Sequence, residues 1–525
     1  MSPGVQTVDL QRKRATHSLG VLLVNPRTGK RRNIRFPLSI LALAAVLEAR
    51  FRCVVLDGNL EQGELLRKVR AALESGEFAA ACVTVMPGPQ IAPAIVLSQS
   101  IRAARPALPI IWGGYFPTLY PNAAINADYV DYVVRGQGEE TLQELLEVVA
   151  ANAGRSSAPA LAAIRGVTWK NGDRIVHNGE RPFRSPDTFP PLPYHLLGNV
   201  QDFIRPSFLG KRTASHQAAI GCRYRCRFCG VVSMFDGVTR LPGPDRLAAD
   251  LELLRDRYGV DSIQYMDNNF FDTDDASRTL RDVLSKVRLP YWCFARTDAL
   301  ANLSSDTWST VRRSGLRMVF MGAETASDAV LKEMRKGTRV DQTIEVAHRC
   351  RENGVIPEFS FILGGPHDPE GEIDRTFRFI RQLKAINPNC EIILYYYSPV
   401  PQRDHAAMCR NPAETHLPQL ASYGPAGPSL PTTPEEWTQP RWVDYVCHHD
   451  APWLTSRIRR KVDDFARVLA CRFPTVQDVR TPGWVKSGLR LMSSWRYATG
   501  VYGFSWELEL ARRLASMREP AAESI

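Results

Sequence analysis

From residue 18 onward, apolar runs alternate with amphipathic stretches. "GVLLVN" (20–25), "CVVLD" (53–57), "AACVTVM" (80–86), "PIIWG" (109–113) and "YVDYVV" (129–134) are nearly continuous apolar runs, the pattern of strands buried on both faces. Helical periodicity over 38–49, 63–76, 91–104 and 139–151 separates them. Five strands with intervening helices predict a doubly wound α/β domain, Rossmann-like (flavodoxin-like), over 18–152, with ligands at the strand carboxyl ends. Residues 1–17 lack such a pattern and are expected to be disordered. Residues 153–205 are Pro-rich and read as a linker, with a hairpin "GVTWKNGDRIVH" turning at Asn171-Gly172.

A second series follows over 206–401. Its predicted strands are "QAAIG" (217–221), "SIQYM" (262–266), "YWCFA" (291–295), "LRMVFMG" (316–322), "EFSFIL" (358–363) and "EIILYY" (391–396). Helical stretches near 243–258, 274–287, 304–314, 326–335, 341–353 and 371–385 lie between. Six βα units are too few for a closed eight-stranded barrel and predict a partial (βα)6 TIM barrel, with its chemistry at the strand C-termini. From 402 to 525 the pattern breaks into a Pro-rich stretch and then mainly helical sequence, a cap or substrate region.

Composition narrows the class. A chain of 525 residues that is 44% hydrophobic and 23% charged is globular, neither disordered nor fibrous. Eleven scattered cysteines do not make a disulfide framework; they fit a reducing, cytoplasmic setting in which a local group binds metal. No signal peptide is visible, and the longest apolar run, 36–47, is too short to span a bilayer.

The net charge of +11 is concentrated late in the chain: residues 454–513 hold 12 Lys/Arg against 5 Asp/Glu, a balance of +7. Trp484, Trp495, Tyr497, Tyr502, Phe504 and Trp506 interleave with these charges. Two readings compete. One is a basic surface that meets anionic lipid or a lipid-like substrate. The other, preferred on sequence grounds, is a helical cap whose aromatics pack on the barrel mouth. No nucleic-acid recognition motif is present. His448 and His449 are adjacent, so their side chains diverge and they read as surface or packing residues; Cys447 and Cys471 read as buried thiols, with a substrate-facing cysteine as the alternative.

The stretch "GCRYRCRFCG" (221–230) places Cys222, Cys226 and Cys229 in one short loop after a predicted strand. Structural zinc wants four ligands, yet the next Cys or His is Cys293. Three thiolates without a fourth suit a [4Fe-4S] cubane whose remaining iron chelates an amine and a carboxylate.

This CxxxCxxC loop, with Phe228 before the last cysteine and six βα units around it, resembles the radical S-adenosylmethionine (SAM) superfamily. The resemblance implies that Cys222, Cys226 and Cys229 hold the cluster, and that SAM on the open iron is cleaved to methionine and a 5'-deoxyadenosyl radical. It places SAM contacts at Asp267 and Asn268 in "MDNNFF", although the commoner Gly-Gly-Glu is absent. Further contacts fall at Arg296 in "FARTD", at Glu324 in "GAETASDAVLKEMRKG", and at Gly364 and Gly365 in "LGGP". Taken singly, Asp267 reads equally as a helix cap and Arg296 as an ordinary ion pair.

A Rossmann-like domain ahead of such a barrel is similar to the cobalamin-binding class of that superfamily. Where B12 domains often carry Asp-x-His-x-x-Gly, this chain has "DGNLEQG": Asp57 matches, and Asn59 replaces the cobalt-ligating His, which excludes His ligation there. The resemblance sets Thr84 near the nucleotide tail, Met86 and Pro87 near the cobalt face, and Gly113, Gly114 and Thr118 along the tail's path. Gly136 and Gly138 in "RGQGEET" precede a helix whose amino end suits a phosphate. The competing reading is a Rossmann fold without cofactor.

The implied activity is methylation of an unactivated carbon in a small lipid-like or natural-product molecule, with cobalamin carrying the methyl group. Arg296, Glu324 and Tyr397, each at a strand end, are expected to face a cavity between the domains, with Arg296 and Tyr397 as catalytic candidates. The chain also resembles the anaerobic magnesium-protoporphyrin monomethyl ester cyclases and hopanoid methylases, so an oxidative cyclase is the alternative. A non-catalytic cobalamin sensor with a structural cluster is an alternative of another class. Expected partners are the small-molecule substrate, a flavodoxin or ferredoxin as electron donor, and a membrane surface at the basic C-terminal region.

Overall fold

The computed structural model describes residues 19–29, 34–151, 157–365, 368–397, 430–446 and 454–514. The strands are β1 (Gly20–Asn25), β2 (Arg52–Asp57), β3 (Phe78–Thr84), β4 (Ile110–Gly113) and β5 (Tyr132–Val134), then β6 (Val167–Asn171) and β7 (Arg174–His177). They form one sheet in the order β2-β1-β3-β4-β5-β6-β7. The first five are parallel, in the flavodoxin-like order, as the apolar runs predict. Helices Leu38–Leu47 and Glu139–Ala151 cover one face, Leu65–Glu74 and Ile91–Ala104 the other.

The predicted linker is partly structural. Its hairpin, β6 and β7, turns at Gly172 with φ +61° and joins the edge of the sheet antiparallel to β5. Val167 and Trp169 are buried in the domain core. The alternation around Asn171-Gly172 was legible, but not the partner strand.

The second sheet joins β8 (Thr213–His216), β11 (Ser262–Tyr265), β12 (Tyr291–Arg296), β13 (Leu316–Glu324), β14 (Ile356–Leu363) and β15 (Glu391–Tyr396). All five pairings are parallel, in the open order β15-β14-β13-β12-β11-β8. Five of the six strands lie where the apolar pattern puts them. The first does not: "TASH" at 213–216 is the barrel strand, not "QAAIG". Its polar residues are buried and its hydroxyls are paired, with Thr213 Oγ1 2.7 Å from Ser262 Oγ and Ser215 Oγ accepting the Phe36 N–H at 3.1 Å. Internal hydrogen bonding replaces apolarity there, so hydropathy misses it.

Ile220–Gly221, called β9, instead pairs antiparallel with β10 (Thr239–Arg240). This two-stranded ribbon closes the base of the cysteine loop.

The C-terminal region divides. Residues 430–446 return to the first domain, where Trp437 is fully buried against Phe116, Tyr120 and Trp442. Helix Ser456–Arg472 packs on the barrel helix Pro369–Ile386, with Phe465 stacked on Phe377 at 3.7 Å. Helices Gly483–Thr499 and Trp506–Leu514 pack on the far side of Ser456–Arg472 around Val468, Cys471, Leu489 and Leu508. The expectation that the late aromatics all pack inward is corrected. Tyr497 and Tyr502 do pack, on Phe473 and Phe465, while Trp484, Trp495, Phe504 and Trp506 are exposed. His448, His449 and Cys447 lie outside the described residues.

No helix among the described residues is long and apolar enough to cross a membrane.

Candidate functional site

The cysteine loop hangs between β9 and β10 at the carboxyl end of the barrel. Gly221 has φ +77°, and a Cβ there would lie 2.1 Å from the Val238 carbonyl oxygen, so only glycine fits the residue before Cys222. Cys226 is buried, Cys222 and Cys229 are half-buried, and all three are free thiols. Cys229 stands just ahead of the helix Gly230–Phe235.

Two buried cations face this loop. The Arg296 guanidinium holds Asp298 with two bonds of 2.9 Å, places Nη1 3.4 Å from Cys226 Sγ, and lies 3.5 Å over the Tyr224 ring. It also donates to the Lys336 carbonyl. Lys336 donates to Glu324 Oε1 at 2.7 Å and lies 5.3 Å over the Phe228 ring. Burial pushes the Cys229 thiol up to about 11 and raises Cys222, against the pull of Lys336 on both thiols and of Arg296 on Cys222.

Among the described residues, no three His, Cys, Asp or Glu side chains converge on a single metal ion. A cubane does not ask for that, because each thiolate takes its own iron. Three free thiols beside two cations suit an iron–sulfur group, whose bound thiolates are anionic.

Glu324 ends β13 in left-handed backbone, φ +64°, beyond an irregularity in the β13–β14 register. Gly322 makes room for it: a Cβ there would lie 1.9 Å from Glu324 Oε1. A non-glycine residue held in this region stores strain, which functional sites characteristically do.

Asp267 has a structural part of its own. Fully buried, it accepts the backbone N–H groups of Ala218 and Ala219 with its two oxygens, tying the end of β11 to the segment before the cysteine loop. It does not cap a helix. Asn268 beside it is half-buried. The Gly364 turn, φ +72°, is approached by Leu454: a Cβ there would lie 2.4 Å from Leu454 Cδ2. Gly365 faces Glu372. Tyr397 is buried, and burial raises its phenol far above the usual range, so it stays protonated.

On the other side, a cavity of about 470 Å³ lies between the two domains. Thr84, Met86, Gly113, Gly114, Gly136 and Gly138 line it from the first domain. Gly114, φ +95°, is a cradle that a Cβ would fill, 2.8 Å from Thr84 Oγ1. Thr118 does not line the cavity; it is a buried staple between the Gly114 carbonyl and the Gly136 N–H. Asp57 and Asn59 also lie off it. The Asn59 side-chain Oδ1 accepts from Thr28 N, Thr28 Oγ1 and Gly29 N at 2.8–3.0 Å, while Asp57 Oδ1 accepts from the Asn25 side chain at 2.7 Å. Pro87 is half-buried beside Met86 and outside the lining.

From the barrel side come His216, Ile220, Met234, Phe235 and the Arg246–Asp250 ion pair. His216 is buried with Nδ1 unpartnered, and burial keeps the imidazole neutral. The three cysteines do not line this cavity, nor do Arg296, Glu324 and Tyr397, contrary to expectation; the residues that flank the cysteine loop, Ile220 before it and Met234 and Phe235 after it, do. Ile220 borders the loop, and Tyr115 of the first domain lies close enough to Cys229 for the thiol's charge to reinforce the effect of burial on its phenol. The glycine cradle and the orphaned His216 nitrogen fit a large polar cofactor between the domains. Lys336, Asp298 and Tyr115 escaped the sequence reading; Lys336 and Asp298 lie in stretches already quoted for Glu324 and Arg296.

Two family models match the chain: the B12 binding domain over residues 25–146 and the radical SAM superfamily over 218–380. An uncharacterized methyltransferase of Pyrococcus horikoshii is 25% identical over 278 residues, 52% of this chain and 58% of that protein. The anaerobic magnesium-protoporphyrin IX monomethyl ester cyclase of Synechocystis is 23% identical over 309 residues, 58% of each chain. The match thus spans under two thirds of the length of these curated relatives. Among solved structures, the cobalamin-dependent S-adenosylmethionine radical enzyme OxsB, with aqua-cobalamin and S-adenosylmethionine bound, has the same fold. Its TM-score is 0.67 at 14% identity, over 96% of this chain and 77% of that one. The chain is therefore a member of the radical SAM superfamily that carries a B12-binding domain, and these domains imply a [4Fe-4S] cluster, S-adenosylmethionine and cobalamin as its cofactors.

Proposed function

We propose that the chain is a cobalamin-dependent radical SAM C-methyltransferase acting on an unactivated carbon of a small, lipid-like or natural-product molecule. The observation that carries this reading is that the residues flanking the cysteine loop, Ile220 before it and Met234 and Phe235 after it, line the interdomain cavity. When bound, the cluster with S-adenosylmethionine supplies a 5'-deoxyadenosyl radical, and cobalamin supplies a transferable methyl group.

The chain's own part is positioning and exclusion. Arg296 fixes the loop by holding Tyr224 and Cys226 against Asp298. Glu324, strained and paired to Lys336, is held where β13 ends, the place the family uses for SAM. Asn268, Gly364 and Gly365 complete the proposed SAM side, and Met86, Thr84 and Gly114 the cobalamin side. Tyr397, kept neutral, is a hydrogen-bond donor at the end of β15 rather than a base. Leu38, Ile40, Leu43, Val83 and Phe235 make much of the cavity wall apolar, which keeps water from a reactive radical.

The similarity to the cyclase, over as much of the chain as any methyltransferase match quoted above, supports an oxidative cyclase as the second reading. Anaerobically reconstituted protein, given a reductant and methyl-deuterated S-adenosylmethionine with metabolite extracts of the host, separates them. A product heavier by one labelled methyl supports transfer. A product that loses hydrogen or gains oxygen supports the cyclase, and no 5'-deoxyadenosine at all supports the sensor. The electron donor proposed is a flavodoxin or ferredoxin of the cytoplasm.

A further inference from the structure

The C-terminal helices expose an apolar face that nothing described in the chain covers. On Gly483–Thr499, Leu489, Ser493 and Arg496 point inward. Trp484, Leu491 and Trp495, at spacings of seven and four, lie on the opposite side, and Trp484 and Leu491 are 79% and 78% exposed. Trp506–Leu514 repeats the arrangement: Leu508 and Arg512 are buried, while Trp506 and Leu514 face outward. Between them Phe504 is 91% exposed and sits in left-handed backbone, φ +54°, so the turn itself presents the ring. The two helices are clamped side by side by Arg496, which holds Glu507 and the carbonyls of Gly503 and Phe504. Both also pack on the same third helix, which makes one continuous surface.

Charge decides what such a surface meets. Residues 479–506 contain Arg480, Lys486, Arg490 and Arg496 and no Asp or Glu. The acids that follow, Glu507 and Glu509, are half-buried and paired with Arg496 and with Arg467 and Arg513. A second copy of this surface would set like charge against like charge. A partner with an apolar interior and an anionic rim complements it. Tryptophan at the water boundary, with Arg and Lys beside it, is the composition of an interfacial membrane helix.

We propose that this face, built on Trp484, Leu491, Trp495, Phe504, Trp506 and Leu514, docks the protein on an anionic lipid surface. The proposal is independent of the cofactor sites, which lie elsewhere in the fold.

The test uses the full chain, reconstituted anaerobically, with vesicles of phosphatidylcholine alone or mixed with phosphatidylglycerol. Cosedimentation with the anionic vesicles is expected to exceed that with neutral ones by about tenfold or more and to weaken as salt rises. The exposed pair Trp495→Glu and Phe504→Glu is expected to lower anionic binding by at least about tenfold, with melting temperature and cluster absorbance unchanged. A separate pair, Arg480→Gln and Arg490→Gln, is expected to weaken anionic binding and spare the neutral background. Equal binding of wild type and the glutamate pair overturns the proposal. So does a concentration-dependent dimer that the glutamate pair abolishes while wild type ignores both vesicles.

Discussion

Individual side chains around the cysteine loop carry distinct consequences. Arg296 joins a carboxylate, an aromatic ring and a thiol through one planar group, a geometry that lysine cannot reproduce. Arg296→Lys is expected to fold but to retain less iron after reconstitution, read by iron and sulfide content. Asp267 acts through pH. Burial pushes its carboxyl up to about 7 against its backbone donors. The folded chain therefore keeps a proton that the unfolded chain releases near pH 4. That contribution is complete below about pH 4 and is lost as pH rises to about 7. Unfolding free energy of the apo chain is expected to fall across that window, by up to roughly 1.4 kcal/mol per pH unit from this group. Asp267→Asn is expected to flatten the slope, measured by denaturant unfolding at a series of pH values.

Secondary-structure elements show why some of the site was legible and some was not. Cys222, Cys226 and Cys229 were readable because the spacing is local, and Gly114 because the family resemblance points to the Gly-Gly pair after an apolar strand. Asp267 could not be read, since its partners, Ala218 and Ala219, lie far back in the chain and use only backbone atoms. Likewise β8 hides in "TASH", where hydroxyls stand in for methyl groups. The ribbon of β9 and β10 sets a prediction at this scale. Gly221→Ala puts a Cβ 2.1 Å from the Val238 carbonyl and forces a positive φ on alanine, so the ribbon must open. Loss of cluster absorbance is expected. Gly136→Ala, φ +70° with nothing within 4 Å, is the control. It is expected to cost only about 1–2 kcal/mol and to leave cluster content intact.

At the scale of the whole molecule, the two domains are tied twice, by the segment that carries β6 and β7 and by the return of residues 430–446. Trp437→Ala is expected to destabilise the first domain by about 3–5 kcal/mol, read by chemical unfolding followed through a probe in residues 34–151. The same substitution is expected to leave cluster content at the barrel unchanged. The sequence placed both domains and their cofactors but gave no sign of this return, because an apolar Trp437 in a short helical stretch looks the same whichever core receives it.

That return sets an order of events during synthesis. The pocket formed by Phe116 and Tyr120 leaves the ribosome about 300 residues before the indole that plugs it. At typical elongation rates the interval is roughly 15–60 seconds. For that time the first domain carries an open greasy socket while the barrel is still being made. A nascent chain halted before residue 430 is thus a natural client for chaperones, and release of that client should track emergence of Trp437 from the exit tunnel.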